Sequence, residues 1–431
     1  MLSRIVYEMS SVLKRSQSPV IRTSSKLIRF TNCRLVRDHK LVWDQLWIKD
    51  GIIVDPEPVF FDGQTLPQVS IDCRGNIISP GFIDLQINGG YGLDFSNPSQ
   101  TREALDKVAN GIVAHGVTAF CPTIVTSPPE TYRSVLPAVR HVIQEAKTKP
   151  GHGAQILGCH LEGPFISHEK KGAHPEQLIR SLNSFSSLEE VYGPGNVSKD
   201  IVSIITLAPE LDPDSQVIKA LVEKGIVVSI GHSKGTLNDG ERAVSSGSRF
   251  ITHLFNAMLP FHHRDPGLVG LLTSDVKVNG KNIFYGIIAD GIHTHYTALK
   301  IAYRSHPEGC VLVTDALSAF GLPSGHRLKI GEAEVEVRDN KAYVTGTNTL
   351  AGSTASLDEC VKNLYDFADC SLVEAVECAT LHAAKVLGIQ EKKGTLNFGS
   401  DADFVIMTDD MTILQTYIAG KRVWCRPDNC I

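Results

Sequence analysis

Apolar and polar positions alternate along this chain with two different periods. Between residues 77 and 316, short apolar runs are separated by longer mixed segments. The runs span residues 77–87, 117–125, 156–161, 201–207, 226–230, 250–254, 283–288 and 311–313, eight in all. They are rich in β-branched residues and nearly continuous, as expected of parallel strands buried on both faces. Most segments between them suit amphipathic helices; residues 99–115 and 214–224 are clear cases. The link after 250–254 carries Pro260, Pro266 and several Gly and His residues, and is expected to be a long loop. Eight strand–helix units over about 240 residues predict an α/β protein with a (β/α)8 TIM-like barrel. A doubly wound sheet is the alternative, but it rarely needs eight such units with polar residues spread across their ends.

The flanks read differently. Residues 26–54 alternate apolar and polar side chains around the turn signal Asp50-Gly51, and residues 403–424 repeat that alternation. Both are expected to be antiparallel strands that pair into one small β-sandwich domain built from the two chain ends. Residues 327–344 also alternate and predict an inserted hairpin with its turn at Asp339-Asn340. Ser371 and Glu374 form a capping box for a helix over 372–380. The expected division is an N-terminal extension over 1–25, the first part of the β domain over 26–76, the barrel over 77–394, and the second part of the β domain over 395–425.

Composition narrows the class. The chain has 431 residues, 42% hydrophobic and 21% charged, as in an ordinary globular protein. Its formal charge is -5 with no long basic block, so no nucleic-acid partner is expected. No run of about 18 apolar residues predicts a membrane span. The ten cysteines are scattered without a CxxC pair, which predicts reduced thiols in a cytoplasmic protein. The basic, serine-rich start, with Arg4, Lys14, Arg15, Arg22, Lys26 and Arg29, is read as a disordered extension; a mitochondrial presequence has the same composition. Asn196-Val197-Ser198 matches a glycosylation sequon and is read as incidental.

Chemistry gathers at the ends of the apolar runs. Glu162 follows the third run, His232 and Asp315 stand just past the fifth and eighth, and His253 falls at the end of the sixth. On a barrel these positions share the C-terminal face, where one site is assembled from several strands. Imidazole nitrogen and carboxylate oxygen suit a borderline divalent metal, and a remaining Asp suits proton transfer. Taken singly, each has a plainer reading: a Glu paired with Arg or capping a helix, or a His satisfied at a strand end. Together they point to metal-assisted hydrolysis.

The first run ends in Pro80-Gly81-Phe82-Ile83-Asp84, then Gln86 and Asn88. PGFID is similar to the start of the amidohydrolase superfamily barrel, whose two metal-binding histidines are here replaced by Gln86 and Asn88. With HLEGPF, GHS, THLFNAM, HHRDPG, ADGIH, TDA and TLAGS, the chain resembles the N-acetylglucosamine-6-phosphate deacetylases from about residue 28 to 424. The resemblance implies hydrolytic deacetylation of N-acetyl-D-glucosamine 6-phosphate, in amino-sugar catabolism and recycling. It implies one divalent metal per subunit on Glu162, His232 and His253, zinc first, with iron, cobalt or manganese as alternatives. Asp315 is then the general base and acid, and His293 polarises the acetyl carbonyl. Ala173, His174, Asn256, Ala257, Arg264, Asp290, Gly291, Ile292, Leu350, Ala351 and Gly352 match substrate-binding positions, with Arg264 on the phosphate. A small-molecule phosphorylated amino sugar and a homodimer partner are implied, with no membrane. Gln86 and Asn88, poor ligands for such a metal, are left with at most a minor role. Arg264 paired with Asp265 on the surface is the plainer reading of that arginine. Another amide hydrolase activity, or a non-catalytic scaffold of the same fold, remains the alternative.

Overall fold

A computed structural model describes residues 26–62, 66–148, 153–278, 280, 282–331 and 333–427. The expected N-terminal extension lies outside them. Eight parallel strands form the barrel: β1 (Phe82–Ile87), β2 (Val117–Val125), β3 (Cys159–Glu162), β4 (Val202–Leu207), β5 (Val227–Ile230), β6 (Phe250–Ile251), β7 (Phe284–Ile287) and β8 (Cys310–Leu312). Each pairs with the next in parallel register. Closure comes just past β8, where Asp315 N donates to Gln86 O and Asn88 N to Ala316 O, both at 2.8 Å.

The apolar run 77–87 is two strands. Ile77–Pro80 pairs with the chain-end strand Phe404–Met407 and with Leu27–Arg37, whereas Phe82–Ile87 enters the barrel. Gly81 is the joint: a Cβ there would sit 2.2 Å from Thr118 Oγ1, so only glycine lets the chain turn from one sheet into the other. The β domain thus unites both chain ends, as the alternation predicted. Its core stacks Phe404 on Tyr417 at 4.5 Å, with Phe30 edge-on to both.

The first predicted helix, 99–115, is an α-helix over Thr101–Gly111 followed by a 3-10 turn, and 214–224 shortens to Gln216–Glu223. The Ser371/Glu374 capping box is present, but its helix ends at Glu377. The hairpin expected at 327–344 is part of a four-stranded sheet, Arg327–Ile330, Ala333–Arg338, Lys341–Val344 and Leu350–Gly352. Asp339 and Asn340 both have positive φ at its turn, as the hairpin geometry requires. Asn196, the sequon residue, is buried, and its amide donates to Tyr192 O at 2.8 Å. Eight cysteines are free thiols, but Cys425 is disulfide-bonded, which corrects the all-thiol expectation there. No helix among the described residues is long and apolar enough to cross a membrane.

Candidate metal centre and active site

The barrel strands deliver their terminal side chains to one end. Glu162 is the last residue of β3, His232 stands two residues past β5, and His253 two past β6. All three are buried. His232 Nε2 and His253 Nε2 each lie 3.0 Å from Glu162 Oε1, and 3.0 Å from each other. Three lone-pair atoms in such a triangle repel unless something positive stands between them. Ligands about 2.0–2.2 Å from a tetrahedral zinc are about 3.3–3.6 Å apart, so the donor set suits a divalent cation and the 3.0 Å triangle would open by a few tenths of an ångström to hold one. His232 Nδ1 meets Lys170 O at 2.9 Å, which places its proton there and leaves Nε2 as the ligand atom.

Burial would push the Glu162 carboxyl up, but His232 and His253 hold it well below the usual range. Burial works against the charged His253 ring, yet Glu162 raises it to about 9. A proton or a cation can therefore fill the triangle, and each excludes the other.

His174 lies close enough to Glu162 and His232 to make another buried His/Glu group. We favour His253 as the third ligand, because its Nε2 is at 3.0 Å from both partners. His174 instead has Nδ1 on Thr126 Oγ1 at 2.6 Å and its ring edge-on to His232. Burial, then the neighbouring His232, lowers His174 to about 3, so it is a neutral wall of the site.

Asp315 follows β8. Burial first, then the nearby Glu162 charge, raise it to about 6. Gln86 and Asn88 project from β1 onto it: Asn88 Nδ2 reaches Asp315 Oδ1 at 2.7 Å, and Gln86 Nε2 reaches it at 3.2 Å and Glu162 Oε2 at 2.9 Å. His232, His253 and Asp315 have φ of 47°, 25° and 48°, left-handed values that non-glycine residues rarely adopt. Such strain, about 1–3 kcal/mol per residue, gathers where a fold aims side chains at a common point.

The loop after β7 presents His293. Its Nδ1 donates to Asp290 Oδ2 at 2.6 Å, while Asp290 Oδ1 accepts from the backbone N–H groups of Ile292 and His293. Burial opposes the charged ring, but Asp290 more than offsets it, and His293 is raised above its ordinary value. The Gly291 turn has φ 73°, and a Cβ there would meet Tyr296 at 2.5 Å.

The remaining residues take varied places. A Cβ on Gly172, beside Ala173, would lie 3.3 Å from His232, so this loop covers the triangle. Ala257 also has positive φ, and its carbonyl accepts from Ser233 N, next to His232. Asn256 sits part-buried in the same turn. Leu350, Ala351 and Gly352 reach the site through Ser353, which bridges Ala316 beside Asp315. Gly352 leaves room for Leu317, whose Cδ1 would be 2.4 Å from an added Cβ, so its freedom serves packing. Arg264 stands apart on the exposed loop after β6. Its Nε meets His263 Nε2 at 3.3 Å, and among the described residues it has no carboxylate partner. The surface pair with Asp265 does not form, because Asp265 Oδ1 caps the backbone N–H groups of Leu237 and Gly267.

Three contributors were not singled out from the sequence. Asp84 of PGFID, raised to about 7 by burial, ties β1 to Thr314 beyond β8 at 2.6 Å. Thr126 orients His174, and the Lys170 carbonyl orients His232. Asp84 had a signal, a carboxylate inside an apolar run; the other two had none.

Comparison with known proteins agrees with this geometry. The sequence model described as the amidohydrolase family matches residues 77–423. The N-acetylglucosamine-6-phosphate deacetylase of Homo sapiens is 52% identical over 403 residues, covering 93% of this chain and 96% of its own length. The crystal structure of N-acetylglucosamine-6-phosphate deacetylase from Pasteurella multocida superposes with a TM-score of 0.80 at 31% identity, over 93% of this chain and 100% of that one. A Mycobacterium smegmatis N-acetyl-D-glucosamine-6-phosphate deacetylase variant, in complex with N-acetyl-D-glucosamine-6-phosphate, has a TM-score of 0.77 at 27% identity, over 93% and 99% of the two chains.

Proposed function

Because the chain belongs to the amidohydrolase family, among the N-acetylglucosamine-6-phosphate deacetylases, we propose that it hydrolyses N-acetyl-D-glucosamine 6-phosphate to D-glucosamine 6-phosphate and acetate. The observation that carries this reading is the 3.0 Å triangle of Glu162, His232 and His253, buried at one end of the barrel, with the half-buried Asp315 beside it. Glu162, His232 and His253 would hold one divalent cation per subunit, zinc by donor type, with iron, cobalt or manganese as alternatives. Bound there, it would lower the pKa of water and polarise the acetyl carbonyl.

The chain's own groups supply the rest. Asp315, raised to about 6, takes a proton from the attacking water near neutral pH and returns it to the departing amine. His293, its Nδ1 fixed by Asp290, presents Nε2 to the acetyl oxygen, a donor worth about 3 kcal/mol when charge develops there. Arg264, with no carboxylate partner among the described residues, offers its fork to the 6-phosphate. Asn256, Ala257, Ala173, His174, Gly291, Ile292 and the 350–352 segment frame the sugar. A homodimer in the cytoplasm completes the reading, the dimer being testable by sedimentation.

Acetate release from the sugar with and without its 6-phosphate, measured alongside metal content of never-chelated protein, tests the proposal. A metal-free protein, or equal rates on both sugars, would overturn it.

A further inference from the structure

Gln86 and Asn88 are buried on one face of the β1 end, two residues apart, and both turn their amide nitrogens toward carboxylates. Gln86 Nε2 spends its two protons on different residues, Glu162 Oε2 at 2.9 Å and Asp315 Oδ1 at 3.2 Å. Asn88 Nδ2 spends both on Asp315, on Oδ1 at 2.7 Å and on the backbone oxygen at 3.2 Å. The carbonyl oxygens of both amides are buried and have no hydrogen-bond partner among the described residues. Turning either amide over would set that oxygen against a carboxylate, acceptor against acceptor, so the orientation is dictated by the acids. The consequence is a division of labour between oxygens. Glu162 Oε2 is occupied by Gln86 and Oε1 faces the histidines; Asp315 Oδ1 is doubly occupied, and Oδ2 accepts no hydrogen bond among the described residues.

We propose that Gln86 and Asn88 are positioning residues for the hydrolysis: their amide donors pin two mutually repelling carboxylates and select Asp315 Oδ2 as the oxygen that carries the proton. Gln86 couples the metal-facing acid to the proton carrier, whereas Asn88 acts on the proton carrier alone. This rests on the hydrolase reading above, and wild-type activity and metal content, measured in the same series, separate failure of that reading from failure of this one.

The two residues are distinguished by what each touches. Asn88→Ala is expected to lower kcat on the phosphorylated substrate by roughly 10–100-fold, to change KM by less than about threefold, and to leave the rate of metal loss to a chelator unchanged. Gln86→Ala is expected to lower kcat similarly and also to speed metal loss by about tenfold or more. If either alanine variant fails to fold, Gln86→Met and Asn88→Leu, which keep volume without donors, replace it. Folded variants with wild-type kcat, losses confined to KM, or metal loss affected equally in both would overturn the proposal.

Discussion

Two layers of buried polar side chains lie one above the other in the barrel, and they are built on opposite terms. The lower one runs through the strands: His160 bonds Leu85 O at 2.9 Å and Thr206 Oγ1 at 2.6 Å, Thr206 bonds Thr252 at 2.7 Å, and Ser229 closes on Thr252 at 2.5 Å. Within it each donor meets an acceptor, and burial lowers the His160 pKa, keeping the ring neutral. The upper layer, only two residues further along β3, brings three acceptors to a point, leaves the carbonyl oxygens of Gln86 and Asn88 without hydrogen-bond partners among the described residues, and holds His232, His253 and Asp315 in left-handed backbone. Both are largely buried, with Asp315 half-buried. Satisfaction separates the two: the lower layer is complete by itself, and the upper one leaves acceptors that a proton or a cation can fill.

That contrast can be broken by substitution. Asp315→Asn should lower kcat by about 10³–10⁴-fold while metal content and folding are retained, because only the proton carrier is lost. Activity near wild type with normal metal content would remove Asp315 from its role. His160→Ala should do the reverse, lowering the unfolding free energy by about 3 kcal/mol through orphaned hydroxyls and a cavity, with metal affinity little changed. Denaturant titration beside metal analysis reads both, and a variant that kept its stability but lost metal would merge the two layers. Arg264→Ala extends the comparison to the rim, where among the described residues an exposed guanidinium has no carboxylate partner. KM for the phosphorylated sugar should rise by about tenfold or more, and KM for the unphosphorylated sugar should stay constant. An equal rise for both would argue against a phosphate contact.

The smallest effect is expected at a pair outside both layers, His115 with Asp358 at 2.9 Å. Burial disfavours the charged His115, but Asp358 raises it above 6.5 overall; burial opposes ionised Asp358, but His115 holds it below 3.8. The histidine's contribution is full below its unfolded pKa and disappears as pH rises through its folded one. The aspartate's is full above its unfolded pKa and disappears as pH falls through its folded one. The pair should therefore stabilise most at about pH 4–6.5, by less than about 1 kcal/mol. The stability difference between wild type and His115→Gln should be larger at about pH 5.5 than at about pH 8.5. A difference independent of pH would mean that His115 acts only by packing.

Much of the candidate site was legible because each of these residues stands at or just past the end of an apolar run, and a parallel barrel sends all such ends to one face. Glu162, His232, His253 and Asp315 needed no contact information to be singled out. The lower layer was not legible in the same way. His160 and Thr206 are 46 residues apart, and Asp84 and Thr314 230 apart, so nothing local marks them as partners. The split of 77–87 was hidden by its continuous hydrophobicity, although Pro80-Gly81 was a break signal inside it. Adjacency alone could not decide the plainer pairing of Arg264 with Asp265, because two nearby backbone N–H groups take that carboxylate instead.

Periodicity and motif alone were enough for the barrel, the chain-end β domain, the family resemblance and the principal candidate residues, because strand burial and strand order are written in local patterns. Which oxygen of each acid stays free, which ring nitrogen of His232 faces inward, and which buried polar residues are structural came only with the fold. Those are properties of hydrogen-bond partners brought together from distant strands, and a donor or acceptor has no assigned role until its partner is in place.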